Sequence, residues 1–182
     1  QEMVALKQLA QQLGRDPVFS ASQAAGAMFE LSKGGVGVAD IMGGAALATA
    51  DLASAGGVSL AEAASVSANA LNAFGLAGED LTQVVNQIAG VAVSTNTDVS
   101  GFAMALTAGS AAAKASGTSF EDFALAVGVM ADAAITGSDA GTSLKTMLIN
   151  LVPSSDTAEG AMKRLGIITE DGSNKFVDAT GS

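Results

Sequence analysis

The stretch Gly57-Val58-Ser59-Leu60-Ala61-Glu62-Ala63 decides how this chain folds. Within it, Ser59-Leu60-Ala61-Glu62 spells a helix start in which the hydroxyl accepts from the N3 amide and the carboxylate reaches back to the cap amide. Thr118-Ser119-Phe120-Glu121 has the same S/T-x-x-E form, and Ser20-Ala21-Ser22-Gln23 is a weaker version. Asp98 and Ser138 stand where further caps belong. Working outward, a Gly followed by a hydroxyl or acidic residue recurs before each apolar, Ala-rich stretch. Helices are predicted over 2–13, 21–33, 38–55, 60–74, 79–94, 99–116, 119–135, 139–151 and 157–165. Gly34, Gly56, Gly75, Gly117, Gly137 and Gly166 fall near the stops, where a positive φ is wanted. From residue 38 the starts recur roughly every 20 residues, the beat of an array of short helices on tight turns.

Apolar residues keep helical spacing within these units: Leu60, Ala63, Ala70, Leu71 and Phe74, then Leu81, Val84, Val85, Ile88 and Ala92, then Phe120, Phe123, Val127, Met130 and Ala134. Each unit therefore buries one face. Gly101, Ala105, Gly109 and Ala113 lie four apart and make one smooth row along a helix. An interior Gly costs about 1 kcal/mol relative to Ala, and the expected return is close helix-to-helix approach rather than a membrane dimer face.

Composition narrows the function classes. The 182 residues contain no His, Cys, Trp or Tyr, so imidazole bases, thiolate nucleophiles, soft-metal sites and disulfide scaffolds drop out together. Carboxylates, lysines and hydroxyls remain. The 38 Ala and 22 Gly predict a thin core and low stability for the size, since a buried CH₂ contributes about 0.8 kcal/mol. The net charge is −10, and from Gly34 to Ala113 there is no Lys or Arg against six acids: Asp40, Asp51, Glu62, Glu79, Asp80 and Asp98. Such a surface repels phosphate, and the aromatic platforms that stack single strands are missing, so specific nucleic-acid binding is not expected. The uncharged runs Ala63–Gly78 and Leu81–Thr97 are too broken by polar residues and Gly to read as membrane spans. The chain begins at Gln1 without a targeting signature and reads as a piece of something longer.

After Pro153 the texture changes. Gly166-Ile167-Ile168-Thr169, the turn-rich Glu170-Asp171-Gly172-Ser173-Asn174 and Lys175-Phe176-Val177 predict a small β-hairpin. The expected organisation is a helical array over 1–152, followed by a last helix and hairpin over 153–182 that is cut at its C-terminal end.

Several short motifs echo chemistry without completing it. Gly35-Val36-Gly37-Val38-Ala39-Asp40 opens like a dinucleotide fingerprint, but Asp40 stands where the third Gly is required. Gly137-Ser138-Asp139-Ala140-Gly141-Thr142-Ser143-Leu144-Lys145 lacks the Gly-Lys-Ser/Thr of a P-loop and reads as a turn opening a helix. Thr142 and Lys145 sit at the spacing of a hydroxyl–amine nucleophile pair that occurs widely by chance. Asp171-Gly172-Ser173-Asn174 resembles part of a calcium loop without the later Glu. The pairs Glu79-Asp80 and Glu121-Asp122 fall in first helical turns, where the macrodipole favours negative charge. The seven Met are gap-fillers. No catalytic, cofactor-binding or metal-binding residue is expected.

The block Ala134-Ile135-Thr136-Gly137-Ser138-Asp139-Ala140-Gly141-Thr142-Ser143-Leu144-Lys145, followed by Leu148, Leu151 and Pro153, resembles the core region of phage tail tape measure proteins. Gly57–Ala63, Leu71-Asn72-Ala73-Phe74-Gly75-Leu76, Ser94-Thr95-Asn96-Thr97-Asp98, Ala115–Asp122 and Leu165-Gly166-Ile167 are similar to the family's pattern in the same order. The resemblance implies a structural virion protein inside the tail tube or tail tip. It would set tail length, scaffold tube assembly with tail-assembly chaperones and with tube, tip and sister copies, and leave ahead of DNA during ejection. It implies no catalytic residues and no cofactor. A continuous α-helical ruler of 182 residues would measure about 270 Å, but the caps and glycines forbid one rod. A folded module flanking the rod is the expectation. The alternatives are a membrane-active or pore-forming helical module, with host-membrane contact during ejection, and a helical-repeat adaptor.

Overall fold

The computed structural model describes residues 2–15, 18–169 and 171–175. In chain order these form α1 (Glu2–Leu13), α2 (Ala21–Lys33), α3 (Val38–Asp40), a π-helical segment (Ile41–Ala45), α4 (Ala46–Gly56), α5 (Leu60–Phe74), a 3₁₀ turn (Gly78–Asp80), α6 (Leu81–Ser94), α7 (Val99–Ala115), α8 (Phe120–Asp132), α9 (Gly137–Asn150) and α10 (Asp156–Arg164). Hydroxyl and acidic caps start most of them, though not always in the expected register. Ser59 accepts from the Glu62 amide, yet the Glu62 carboxylate does not return to the cap; it accepts from Ser100 Oγ on α7 at 2.7 Å. The cap of α8 is Ser119 rather than Thr118, with Asp122 at N3. Ser20 and Gln23 make the complete reciprocal box. Helix α9 begins at Gly137 behind Thr136, not at Ser138.

The stops also shift by a residue where two glycines stand together. Gly35 and Gly57, not Gly34 and Gly56, take the positive φ that turns the chain. At the end of α8 the left-handed position falls on Ala134, φ 64°, and Gly137 takes its φ of 58° at the start of α9 instead. The predicted helix 38–55 is interrupted by the π segment, within which Gly44 has φ 136°.

The helices pack chiefly on the element two positions along. Counting α3, the π segment and α4 as one bent unit, α2, α5, α7 and α9 form one row and α4, α6 and α8 the other, with α1 against α2. This is the two-row stacking of a short α-solenoid. Where the rows meet, Phe74, Phe102, Phe120 and Phe123 pack edge-on or tilted with ring centroids 5.3–6.2 Å apart. The core is thus thin in general but thick at one point, because most of the seven Phe are spent there. Buried Thr49 and Ser67 return their hydroxyls to the carbonyls of Ala45 and Ala63, and among the described residues no buried side-chain polar atom lacks a partner.

The C-terminal β-hairpin is not found among the described residues. Among the described residues there is no β-strand, and the region contributes a single antiparallel bridge between Ile168 and Asn174. Phe176 and Val177 of the expected second strand lie outside the described residues. The physical reason is local. Gly166 ends α10 in the left-handed conformation, with Ile167 N–H closing back on Met162, so the chain is still leaving a helix where a strand was expected. Thr169, Asp171 and Ser173 then bond to one another and fold the segment into a tight turn, and an isolated two-stranded ribbon has little to stabilise it.

Candidate functional site

The block Ala134–Lys145 builds a close backbone contact between α9 and α7. In α9, Gly137, Ala140, Gly141, Leu144 and Leu148 are buried at helical spacing. Opposite them, Gly101, Ala105, Gly109 and Ala113 of α7 are all buried, as the smooth row anticipates. A methyl group on Gly109 would stand 2.8 Å from the Gly141 carbonyl oxygen and 3.2 Å from its Cα, and one on Gly141 would collide with the Ala105 carbonyl. The two backbones therefore touch directly, through van der Waals contact that side chains would prevent. The row faces α9 within the fold and presents no surface to a bilayer.

At one end of this seam lies an open cleft of about 470 Å³ lined by Thr95–Asp98, Gly101, Met104, Thr136 and Gly137. Two motifs some forty residues apart, Ser94–Asp98 and Thr136–Thr142, meet there. The polar groups of the Thr95–Asp98 turn are already engaged. The Asp98 carboxylate accepts from the Gly101 amide at 2.6 Å, and Asn96 donates its backbone N–H and Nδ2 to Asp132 Oδ1 at 3.1 and 3.3 Å, tying the end of α6 to the end of α8. These groups position helices.

The remaining motif residues have comparable fates. Val36 N–H bonds to the Leu31 carbonyl, so Gly35–Gly37 is the exit from α2 into α3; among the described residues no strand precedes it as a dinucleotide fingerprint requires. Thr142 and Lys145 are exposed on α9, and the Thr142 carbonyl accepts from Thr146 Oγ1. Asp80 caps its 3₁₀ turn by accepting from Ala77 N–H at 2.9 Å. Asp122 accepts from Ser119 Oγ at 2.7 Å. Asp171 accepts from the hydroxyl of Thr169 and from the hydroxyl and N–H of Ser173; the Thr169 hydrogen bond is the chief reason its carboxyl is held down at about 2, from an ordinary 3.8. Among the described residues no group of three or more acids is placed to hold a metal ion.

Sequence reasoning missed the long-range caps. Lys114 donates to the Phe74 carbonyl at 2.5 Å at the end of α5, and Asn72 Nδ2 to the Gly34 carbonyl at 2.9 Å. It also missed a groove of about 880 Å³ between α1 and α2, whose rim carries exposed Met3, Val4 and Phe29. Phe29 carries the legible signal, since it falls off the Ala24–Ala27–Met28–Leu31 buried face of its helix.

Taken together, these features define a helical packing module. The sequence matches the family model described as phage-related minor tail protein over residues 7–182. The chain belongs to that family. It is 34% identical over 182 residues to the tape measure protein of Pneumococcus phage Dp-1, covering 100% of this chain and 15% of that protein. It is 35% identical over 170 residues to the probable tape measure protein of Escherichia phage P2, covering 93% of this chain and 21% of the relative. The chain thus spans between about a seventh and a fifth of the length of these relatives. No solved structure matches it.

Proposed function

We propose that this chain is a folded, non-enzymatic module of a tape measure protein, carried in the lumen of a phage tail tube or at its tip. The whole protein would set tail length, scaffold tube polymerisation with chaperones, tube and tip proteins and other copies of itself, and depart ahead of DNA at ejection. The observation that carries this reading is the α7–α9 seam. Within the block of sequence most specific to the tape measure resemblance, Gly137–Thr142, the buried Gly137, Ala140 and Gly141 form the α9 side of that seam and Gly141 packs backbone to backbone, which is what a structural part needs and a catalyst does not. The relatives, both tape measure proteins by name, support the same reading. The helical array of residues 1–152 acts as one module, and it is not the measuring stretch, because its chain doubles back at every turn. A ruler helix would lose about 1.5 Å per deleted residue. In-frame deletion within 38–135 in a phage carrying this protein is expected to block tail assembly or leave tail length unchanged by electron microscopy; tails shortened in strict proportion to the deletion would overturn this.

The uninterrupted acidic stretch Gly34–Ala113 supports a second element of the reading: lining the DNA path, it would keep the genome sliding. Reversing Asp51 and Glu79 to Lys is expected to slow ejection, and an unchanged rate would count against it. The membrane-active alternative draws on one bent pair, Val38–Gly56 with Leu60–Phe74 at 115°, that has the length and composition of a broken span; no single described helix does. Its apolar residues already form the core of the array, which favours the tail reading. Dye release from liposomes by the intact chain would reverse that preference.

A further inference from the structure

We propose that the groove between α1 and α2 receives the outer face of α8 from a second copy of this chain. The groove encloses about 880 Å³, with Ala10, Met28 and Ile41 as its buried floor. Its rim is apolar and solvated: Met3 is 79% exposed, Val4 60% and Phe29 66%. Lys7 is the one charged residue lining it, and it makes no ion pair with any described residue; the pairs present are Lys33–Glu30 and Lys163–Glu159.

The occupant is argued from shape and charge. On α8, Glu121, Leu125 and Val129 lie four residues apart and form one straight exposed row, with Leu125 64% and Val129 62% exposed. Asp122 and Asp132 flank it. An amphipathic helix carrying two apolar anchors at i and i+4 is the occupant an apolar groove accepts. Charge selects the same pair. Residues 1–33 contain three bases (Lys7, Arg15, Lys33) and three acids (Glu2, Asp16, Glu30), so the two-helix segment is neutral, whereas the rest of the chain carries the entire −10. The acidic α8 face is therefore repelled by most of a neighbouring copy and least by its α1–α2 segment, where Lys7 awaits a carboxylate and Glu121 supplies one. Within one copy α8 packs on α6, α7 and α9, and α1 on α2 and the π segment, which leaves Leu125 and Val129 on the one side and Met3, Val4 and Phe29 on the other exposed.

A groove on one copy and a helix on the next make a heterologous, head-to-tail contact, which propagates into rings or open chains rather than closing as a two-fold dimer. That property supplies the test. Sedimentation velocity and light scattering of the 182-residue chain are expected to show concentration-dependent species larger than dimers. Phe29→Asp, which disables the groove, and Leu125→Asp, which disables the helix, should each be monomeric with unchanged helical circular dichroism, since both side chains are exposed. Mixing the two variants should yield a 1:1 heterodimer and nothing larger, because one intact groove meets one intact helix and assembly then stops. Lys7→Glu and Glu121→Lys should each weaken association by about tenfold, and the double reversal should restore it. A wild-type chain monomeric up to millimolar concentration would overturn the proposal. So would self-association abolished by F29D but untouched by L125D, the mark of a two-fold α1–α2 contact, or vesicle binding by the groove without any self-association.

Discussion

Gly109 and Gly141 meet backbone to backbone: a methyl group on the first would lie 2.8 Å from the carbonyl oxygen of the second. Neither partner in that contact is a flexible side chain, so nothing can swing aside. Gly109→Ala and Gly141→Ala are each expected to destabilise the fold by about 1–3 kcal/mol, the range for overpacking a close contact. Urea denaturation followed by circular dichroism checks this.

Gly26 and Gly90 behave oppositely. Both sit inside helices, exposed, with nothing near enough to meet an added methyl. Gly26→Ala and Gly90→Ala should stabilise by about 0.5–1 kcal/mol each, because only the helix-forming preference changes. A destabilisation at either would mean that the helix is engaged by something else.

Ala134 occupies the left-handed region at φ 64°, with Ile135 N–H bonded to Met130 and Ala134 N–H to Ala131. An L-residue there costs about 1–2 kcal/mol. Ala134→Gly should therefore raise stability by about 1 kcal/mol after its greater unfolded-state freedom is counted, seen as a higher midpoint of thermal unfolding.

The Phe74–Phe123 pair, with centroids 5.4 Å apart, anchors the junction of the two rows. Phe123→Ala is expected to cost about 3–5 kcal/mol. A double-mutant cycle with Phe74→Ala should return a coupling of about 0.5–1.5 kcal/mol. Independence of the two substitutions would place the rings apart.

Asp171 titrates at about 2, below its ordinary 3.8, held there first by the Thr169 hydroxyl. The folded carboxyl is the stronger acid, so the turn's contribution is complete above the unfolded value and disappears as pH falls through about 2. Carboxyl carbon shifts from NMR should show that midpoint in the native chain. Thr169→Val should move it upward.

Much of the helical plan was legible in short stretches. Ser59, Ser20 and Asp98 each accept from the N3 amide, as hydroxyl and carboxylate caps should. The Gly101–Ala113 row announced a helix contact before its partner was visible. Where local reading failed, two neighbouring residues offered the same chemistry: Gly34 or Gly35, Gly56 or Gly57, Thr118 or Ser119. Which one takes the turn is decided by the helix it must leave or enter. Within the described residues the expected Gly166–Val177 hairpin failed for a related reason, because a short apolar run promises a strand only when something pairs with it, and here Thr169, Asp171 and Ser173 satisfy one another first.

Residue order by itself determined that short capped helices recur along the chain, that their interior is built from small residues, and that no imidazole or thiol chemistry is available, since these are properties of single residues and their nearest neighbours. Tertiary structure alone decided that Glu62 would serve Ser100 instead of its own cap, that Lys114 would close α5, that Gly141 would be the partner of Gly109, and that Phe29 would be left in water. Each of these depends on which helix returns beside which, and that follows from the summed burial of both rows, a quantity no local window of sequence contains.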